Sequence, residues 1–153
     1  MALQAVLADI DRENVDQIIC LGDVALTGPQ PHETIDYVKS LDCQVVMGNC
    51  DEWLLDQQPY EADDERRGVA RDINYWCLKQ LLPAEFDYMR SFKPTINVPL
   101  ATPDSLLCFH GSPKSNMDII LSTTPGENLK RMFSEFRAEV LTGGHTHVQM
   151  YRR

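Results

Sequence analysis

Five side chains that can bind a metal ion are the most informative residues of this sequence. They comprise one carboxylate, one amide and three imidazoles: Asp23, Asn49, His110, His145 and His147. Such a mixed set of oxygen and nitrogen donors suits Mn, Fe or Zn. An isolated aspartate or asparagine after glycine is more often a turn residue than a ligand. The metal hypothesis therefore depends on what brings the five side chains together.

The elements that precede these side chains are short apolar runs. The runs cover residues 18–21, 45–47, 106–109 and 140–141, and a glycine or the polar residue itself follows each one closely. Apolar runs of this length predict strands that are buried on both faces. In open α/β sheets the strand ends converge on one rim, where ligands bind. We therefore expect the five side chains to meet in one cleft, with their coordinating atoms close to a common centre.

The ordered motifs Gly-Asp, Gly-Asn, His-Gly and Gly-His-Thr-His closely resemble those of the calcineurin-like metallophosphoesterases, in particular the small bacterial-type enzymes. The resemblance covers essentially the whole chain. It implies that Asp23 bridges two divalent metal ions, with manganese as the first candidate and iron, zinc or magnesium as alternatives. Asn49, His110 and His145 would complete the protein ligands of one ion. His147 would serve the other ion.

The activity that this resemblance implies is hydrolysis of a small phosphomonoester or phosphodiester by hydroxide that the metal ions activate. It also implies an α/β fold, a two-sheet α/β/β/α sandwich with helices outside. Many family members carry a histidine after the asparagine, where it assists the leaving group or binds phosphate, but this sequence has Cys50 there. Asp51 is a candidate for orienting a neighbouring imidazole, because metal-bound histidines usually donate their second N–H to a carboxylate or carbonyl.

The first metal motif of the family has no counterpart in this sequence. Family members normally begin with a strand ending in Asp-x-His, which holds the ion that His147 serves, and no Asp-x-His occurs here. The chain looks like the middle of a metallophosphoesterase without its first and last strands, and we expect a truncated sequence. Three hypotheses stay open: a phosphoesterase that has lost its first strand, a one-metal binding or regulatory module, and a metal-free structural fragment.

The sequence Asp9-Ile10-Asp11 imitates the missing motif, but its spacing argues against that interpretation. Only 14 positions separate Asp9 from Asp23, whereas a strand–helix–strand crossover alone needs roughly a dozen residues or more. The apolar residues here recur at the helical i, i+3, i+4, i+7 spacing. We therefore predict a helix over residues 2–14 with both carboxylates in solvent. We also expect an unpaired strand edge along residues 17–21.

The rest of the sequence predicts a single domain over residues 1–153. We expect a small helical cap within residues 52–82, an acidic loop before its main helix, and a short helix from Pro83. The other predicted elements are a helix over residues 31–41, two antiparallel strands within residues 95–109 and a last helix over residues 126–136.

Composition excludes several classes of protein. The net charge of −9 argues against nucleic-acid binding through a basic surface. No apolar run approaches the length of a membrane span, and the first residues lack the pattern of a signal peptide. The five cysteines are odd in number and form no Cys-x-x-Cys, which favours free thiols in a reducing, cytoplasmic environment. A homo-oligomer stays open.

Overall fold

The computed structural model describes residues 2–56, 65–101 and 104–153. These residues form six helices and five strands. The helices are α1 (Ala2–Ile10), α2 (Pro31–Ser40), α3 (Asn49–Asp56), α4 (Glu65–Gln80), α5 (Pro83–Met89) and α6 (Gly126–Phe133). The strands are β1 (Ile19–Cys20), β2 (Gln44–Val45), β3 (Thr95–Pro99), β4 (Ser105–Phe109) and β5 (Val140–Thr142).

Two small sheets lie at the centre of the fold. Strands β1 and β2 pair in parallel, with Ile19 opposite Gln44. In the other sheet β4 pairs antiparallel with β3 and parallel with β5. The two sheets share an apolar cluster whose buried members are Val46, Ile96 and Cys108. The predicted α/β fold with two sheets is therefore confirmed, and so are the antiparallel strands within residues 95–109.

The largest apolar cluster joins the helices to the first sheet. Ile35 of α2, Leu54 of α3 and Met89 of α5 are fully buried there, together with Val45 of β2. Only residues 46–48 separate β2 from α3, so this core fixes the position of the α3 N-terminus. The range 52–82, for which the sequence predicts a helical cap, contains parts of α3 and α4, and Leu54 and Cys77 of these helices belong to the same apolar cluster. Its predicted acidic loop, residues 59–64, lies outside the described residues.

Helix α1 is shorter than predicted, and the first strand has an open edge. The helix ends at Ile10 rather than at residue 14, because residues 11–14 form turns and Asn14 adopts a left-handed φ of 49°. Asp9 is exposed and pairs with Arg12 at 3.0 Å, as a solvated helix face predicts. In the part of the chain that the structure describes, β1 has β2 as its single strand neighbour.

The prediction that residues 140–141 form a strand buried on both faces is wrong. Strand β5 does form, but Val140 is 46% exposed and Leu141 is 41% exposed. The reason is its place in the sheet: among the described residues β5 is an edge strand, and neither side chain joins one of the apolar clusters found there. The last helix also ends early, at Phe133 rather than at residue 136.

Two further sequence expectations concern thiols and membrane spans. All five cysteines are free, with Cys77 and Cys108 buried and Cys20, Cys43 and Cys50 partly buried. None of the described helices is both long and apolar enough to cross a membrane.

A histidine–glutamate contact ties α2 to α5. His32 Nδ1 lies 2.5 Å from the Oε1 atom of the buried Glu85, whose Oε2 accepts a hydrogen bond from the backbone N–H of Leu82. The hydrogen bond to Glu85, with smaller contributions from Asp36 and Glu33, raises the pKa of His32. His32 therefore links α2 to α5.

The raised pKa of His32 predicts a specific pH dependence of stability. The folded chain binds this proton more tightly than the unfolded chain, so the stabilisation is complete below the ordinary histidine pKa of about 6.5 and fades as pH rises through the folded value. We expect His32→Gln to lower the free energy of unfolding more at about pH 6 than at about pH 9. Urea unfolding at both pH values measures this difference, and an equal loss at both would contradict it.

Candidate metal centre

Four strand ends deliver the predicted ligands to one region of the fold. Asp23 lies in the loop after β1, and Asn49 is the first residue of α3, which follows β2 after residues 46–48. His110 is the residue after β4, and His145 lies in the loop that follows β5. Both sheets therefore contribute residues to the site.

His110 lies at the centre of the arrangement. Its Nε2 atom is 3.1 Å from Asn49 Oδ1 and 3.2 Å from Asp23 Oδ2. Donor atoms of Asp23, His110 and His145 all lie within 4.8 Å of one another. The rings of His110 and His145 meet edge to face, with their centroids 5.1 Å apart. The imidazole of His110 is 2% exposed, so these contacts lie inside the protein.

The orientation of the His110 ring suits metal binding. Its Nδ1 lies 2.6 Å from the carbonyl oxygen of Leu21, so Nδ1–H donates there and Nε2 points to Asp23 and Asn49. Ligands at right angles around a divalent ion, each at about 2.1 Å, lie about 3 Å apart. The two distances from Nε2 match that separation. A ring nitrogen that faces two oxygen acceptors also needs a cation or a proton between them. The residues present therefore fit a divalent metal ion.

The contacts within the site shift the pKa values of its titratable groups. Burial pushes the pKa of Asp23 upward, but hydrogen bonds from His110 and from the Cys50 backbone outweigh burial, and the pKa lies below its ordinary value. Burial alone would lower the pKa of His110, but Asp23 and the Leu21 carbonyl outweigh it, and the pKa is raised. The pKa of His145 is lowered, first by burial and then by the charge of His110. The opposite pKa directions of Asp23 and His110 thus reflect their mutual attraction.

Glycine is required at positions 22 and 48, just before two of the proposed ligands, because the loops after β1 and β2 approach each other closely. Gly22 has a φ of 92°, which is left-handed, and Asp23 itself has a φ of 57°. A Cβ atom added to Gly48 would lie 2.2 Å from Asp23 Oδ1, well inside van der Waals contact. The motifs Gly-Asp and Gly-Asn therefore reflect one packing contact between two strand ends.

Asp51 lies in the site but contacts backbone rather than an imidazole. It is 0% exposed, and its carboxylate accepts hydrogen bonds from the backbone N–H groups of Asp23, Val24 and Gly48 at 2.8, 2.8 and 3.0 Å. Burial raises its pKa despite these donors. The role that the sequence suggested for it, orienting a histidine, is filled for His110 by the carbonyl of Leu21.

A sequence signal for this role of Asp51 did exist. Asp51 occupies the third position of α3 and reaches back to the N–H of Gly48, the residue before the helix. This is the reciprocal half of a capping box, which places an acidic or amide side chain at that position. Cys50 supplies a further unpredicted contact, since its backbone N–H donates to Asp23 Oδ1 at 2.9 Å. Burial, followed by the charge of Asp23, raises the pKa of the Cys50 thiol to about 12.

His147 does not join the other four residues. It is exposed, and it is outside the group of donors that Asp23, His110 and His145 form. Both His145 and His147 have left-handed backbones, with φ values of 67° and 54°. Such conformations are uncommon for residues other than glycine and cluster at functional sites. Of the five predicted ligands, the structure brings four together and leaves His147 apart.

Comparison with known proteins shows which family this chain matches. A family model described as calcineurin-like phosphoesterase matches residues 2–149. A crystal structure of a metallophosphoesterase from Sphaerobacter thermophilus superposes with a TM-score of 0.71 at 30% identity, over 96% of this chain and 56% of that one. A hypothetical protein from Pyrococcus horikoshii OT3 superposes with a TM-score of 0.74 at 20% identity, over 93% and 63%.

A relative found by sequence gives a shorter match. An uncharacterized protein of Methanocaldococcus jannaschii is 39% identical over 69 residues, which cover 45% of this chain and 28% of that protein. The chain thus spans less than two thirds of each of these three proteins.

Proposed function

Because this chain belongs to the calcineurin-like phosphoesterase family, we propose that it is a metal-dependent phosphoesterase acting on a small phosphomonoester or phosphodiester. One observation supports the proposal above the others: His110 Nε2 faces an oxygen of Asp23 and an oxygen of Asn49 at 3.2 and 3.1 Å. A buried arrangement of this kind is suited to a cation. The likeness to a metallophosphoesterase at 30% identity supports the same reaction class.

The proposed ligands of the ion are the four residues that converge: Asp23, Asn49, His110 and His145. Manganese is our first candidate for the ion, with iron, zinc and magnesium as alternatives. When bound, a divalent ion stabilises charge on phosphoryl oxygens and lowers the pKa of water. The chain's own part is preorganisation. The Cys50 backbone holds one oxygen of Asp23, and the Leu21 carbonyl holds the ring of His110, so neither ligand has to be reoriented when substrate arrives.

The second candidate function is a one-metal binding or regulatory module with little turnover. The observation that favours it is the exposed position of His147, apart from the other donors. The sequence also lacks the Asp-x-His that the family resemblance would pair with His147. In this second candidate function the four converging residues bind one ion, and the metal-bound protein acts by binding or regulation rather than by turnover.

Metal content and turnover measured on one sample separate these functions. Protein stripped with a chelator is reloaded with Mn²⁺ or Zn²⁺, and hydrolysis of p-nitrophenyl phosphate and bis(p-nitrophenyl) phosphate is followed. A phosphoesterase binds metal and gives turnover that a chelator removes. Binding without turnover indicates the regulatory module, and the absence of both would overturn the proposed metal function.

Adding the absent motif should raise the activity. Fusing an N-terminal strand that ends in Asp-x-His is expected to supply ligands beside His147, to add a second ion and to raise turnover by orders of magnitude, because two ions share the transition-state charge. The matched control carries the same extension with Ala-x-Ala. Equal turnover of the two extended proteins and the 153-residue chain would show that a second ion is dispensable.

A further inference from the structure

Asp51 connects the two loops that carry the oxygen ligands of the proposed metal centre. Its Oδ2 atom accepts hydrogen bonds from the backbone N–H groups of Asp23 and Gly48, and its Oδ1 atom accepts one from Val24. Asp23 and Val24 follow β1, whereas Gly48 follows β2. One carboxylate therefore holds the ends of two parallel strands in a fixed relation.

Helix capping accounts for only one of these three hydrogen bonds. In a capping box, the third residue of a helix reaches back to the backbone N–H of the residue before the helix. That residue is Gly48. The other two donors, Asp23 and Val24, lie 28 and 27 residues away in the chain and outside any helix. A carboxylate with no exposed surface is tolerated when backbone N–H groups donate hydrogen bonds to it. Two of the donors here belong to the loop that carries the proposed ligand Asp23.

The backbone that Asp51 holds is itself unfavourable. Asp23 has a φ of 57°, a conformation that persists only when its surroundings impose it. In this conformation the Asp23 side chain accepts a hydrogen bond from the Cys50 N–H and directs its other oxygen to His110. Loss of the Asp51 carboxylate would leave two adjacent, partly buried N–H groups without their partner, and the loop would move to satisfy them.

We propose that Asp51 is a positioning residue of the metal centre, which fixes the backbone of Asp23 so that its carboxylate faces His110 and Asn49. The inference rests on the proposed function, since it concerns the binding site of the proposed ion. It assigns Asp51 no contact with the ion or with substrate.

Asp51→Asn tests the proposal, because the amide has the same shape but one accepting oxygen in place of two. Two quantities are measured in chelator-stripped protein: the dissociation constant for Zn²⁺ by calorimetry, and amide hydrogen exchange at residues 23 and 24. We expect the affinity for Zn²⁺ to fall about 10–100-fold, the range known for residues that orient metal ligands. We also expect both amides to exchange faster before any metal is added.

Glu85→Gln is the matched control. Glu85 is also a buried carboxylate in the first turn of a helix and also accepts a backbone N–H, that of Leu82, but it contacts none of the four proposed ligands. We expect this variant to lose stability and to keep its affinity for Zn²⁺. Should Asp51→Asn fail to fold, Asp51→Glu keeps the charge, displaces the carboxylate and is expected to weaken Zn²⁺ binding in the same way.

Each outcome of this comparison has one meaning. Wild-type affinity for Zn²⁺ in a folded Asp51 variant, or an equal loss in the Glu85 variant, overturns the positioning role. If the wild-type chain itself binds no metal, the proposed function fails, and the exchange rates at residues 23 and 24 still decide whether Asp51 fixes this backbone. Unchanged exchange rates there would overturn the proposal.

Discussion

Replacing His110 with alanine is expected to reduce metal affinity by more than about 100-fold, beyond the loss that follows removal of an orienting residue. The reason is geometric, because His110 Nε2 is the atom that both Asp23 and Asn49 face. Without the imidazole ring, an ion would have only Asp23, Asn49 and His145 as ligands, and a buried cavity would take the place of the ring. Calorimetric titration of the stripped protein with Mn²⁺ and Zn²⁺ measures this loss.

His32→Ala is the matched control for that experiment. His32 contacts Glu85 and Asp36, and neither belongs to the four converging residues. This variant is expected to lose some stability and to keep the affinity for both ions. The metal hypothesis would be contradicted if His110→Ala and His32→Ala reduced affinity to the same extent, since the effect would then arise from general destabilisation.

Gly48→Ala is expected to disrupt the proposed metal centre. The added Cβ would lie 2.2 Å from Asp23 Oδ1 and 2.3 Å from the Asp23 backbone nitrogen. Real contacts of this kind are not tolerated, so the loop after β1 must move away from α3. That movement breaks the hydrogen bond that the Asp23 backbone N–H donates to Asp51, and it removes the Asp23 carboxylate from His110. Overpacking of this kind typically costs about 1–3 kcal/mol, and metal binding should be lost with it.

Gly68→Ala provides the control for an added methyl group. Gly68 lies in α4, and a Cβ atom there would meet nothing within 4 Å. Alanine in a helix interior is favoured over glycine by roughly 0.5–1 kcal/mol, so this variant should be at least as stable as the wild type and bind metal normally. Urea unfolding and Zn²⁺ titration check both variants. Equal behaviour of the two would mean that the Gly48–Asp23 contact is not needed.

The ends of the predicted strands are the sequence feature that best predicts where the site lies. Apolar runs closed by glycine or by a ligand placed Asp23, Asn49 and His110 at strand ends, and the structure brings these three together. Local hydrophobicity does not report which neighbour a strand has, however. The run at residues 140–141 has the composition of a buried strand, yet β5 is an edge strand with exposed side chains. Whether that run is buried depends on which elements pack against it, and the sequence of the run does not specify those neighbours.

The contacts that orient the ligands were the least predictable part of the site. The Leu21 carbonyl that holds His110 is a backbone atom, and any residue type could provide it. The Asp51 carboxylate was recognised as part of the site, but its partners are backbone N–H groups that no side-chain pattern specifies. The spacing of two histidines does not reveal that His145 joins the donor group whereas His147 lies outside it.

The most direct test of the metal centre is nuclear magnetic resonance of the ring nitrogens of the four histidines during titration with Zn²⁺. The structure predicts that Nε2 of His110 and one nitrogen of His145 shift first, while Nδ1 of His110 keeps its proton because it donates to Leu21. His32, which with Asp36 and Glu85 forms the other group of donors within 4.8 Å among the described residues, should respond later or not at all. A response of His32 before His110, or no response of His110, would contradict the site.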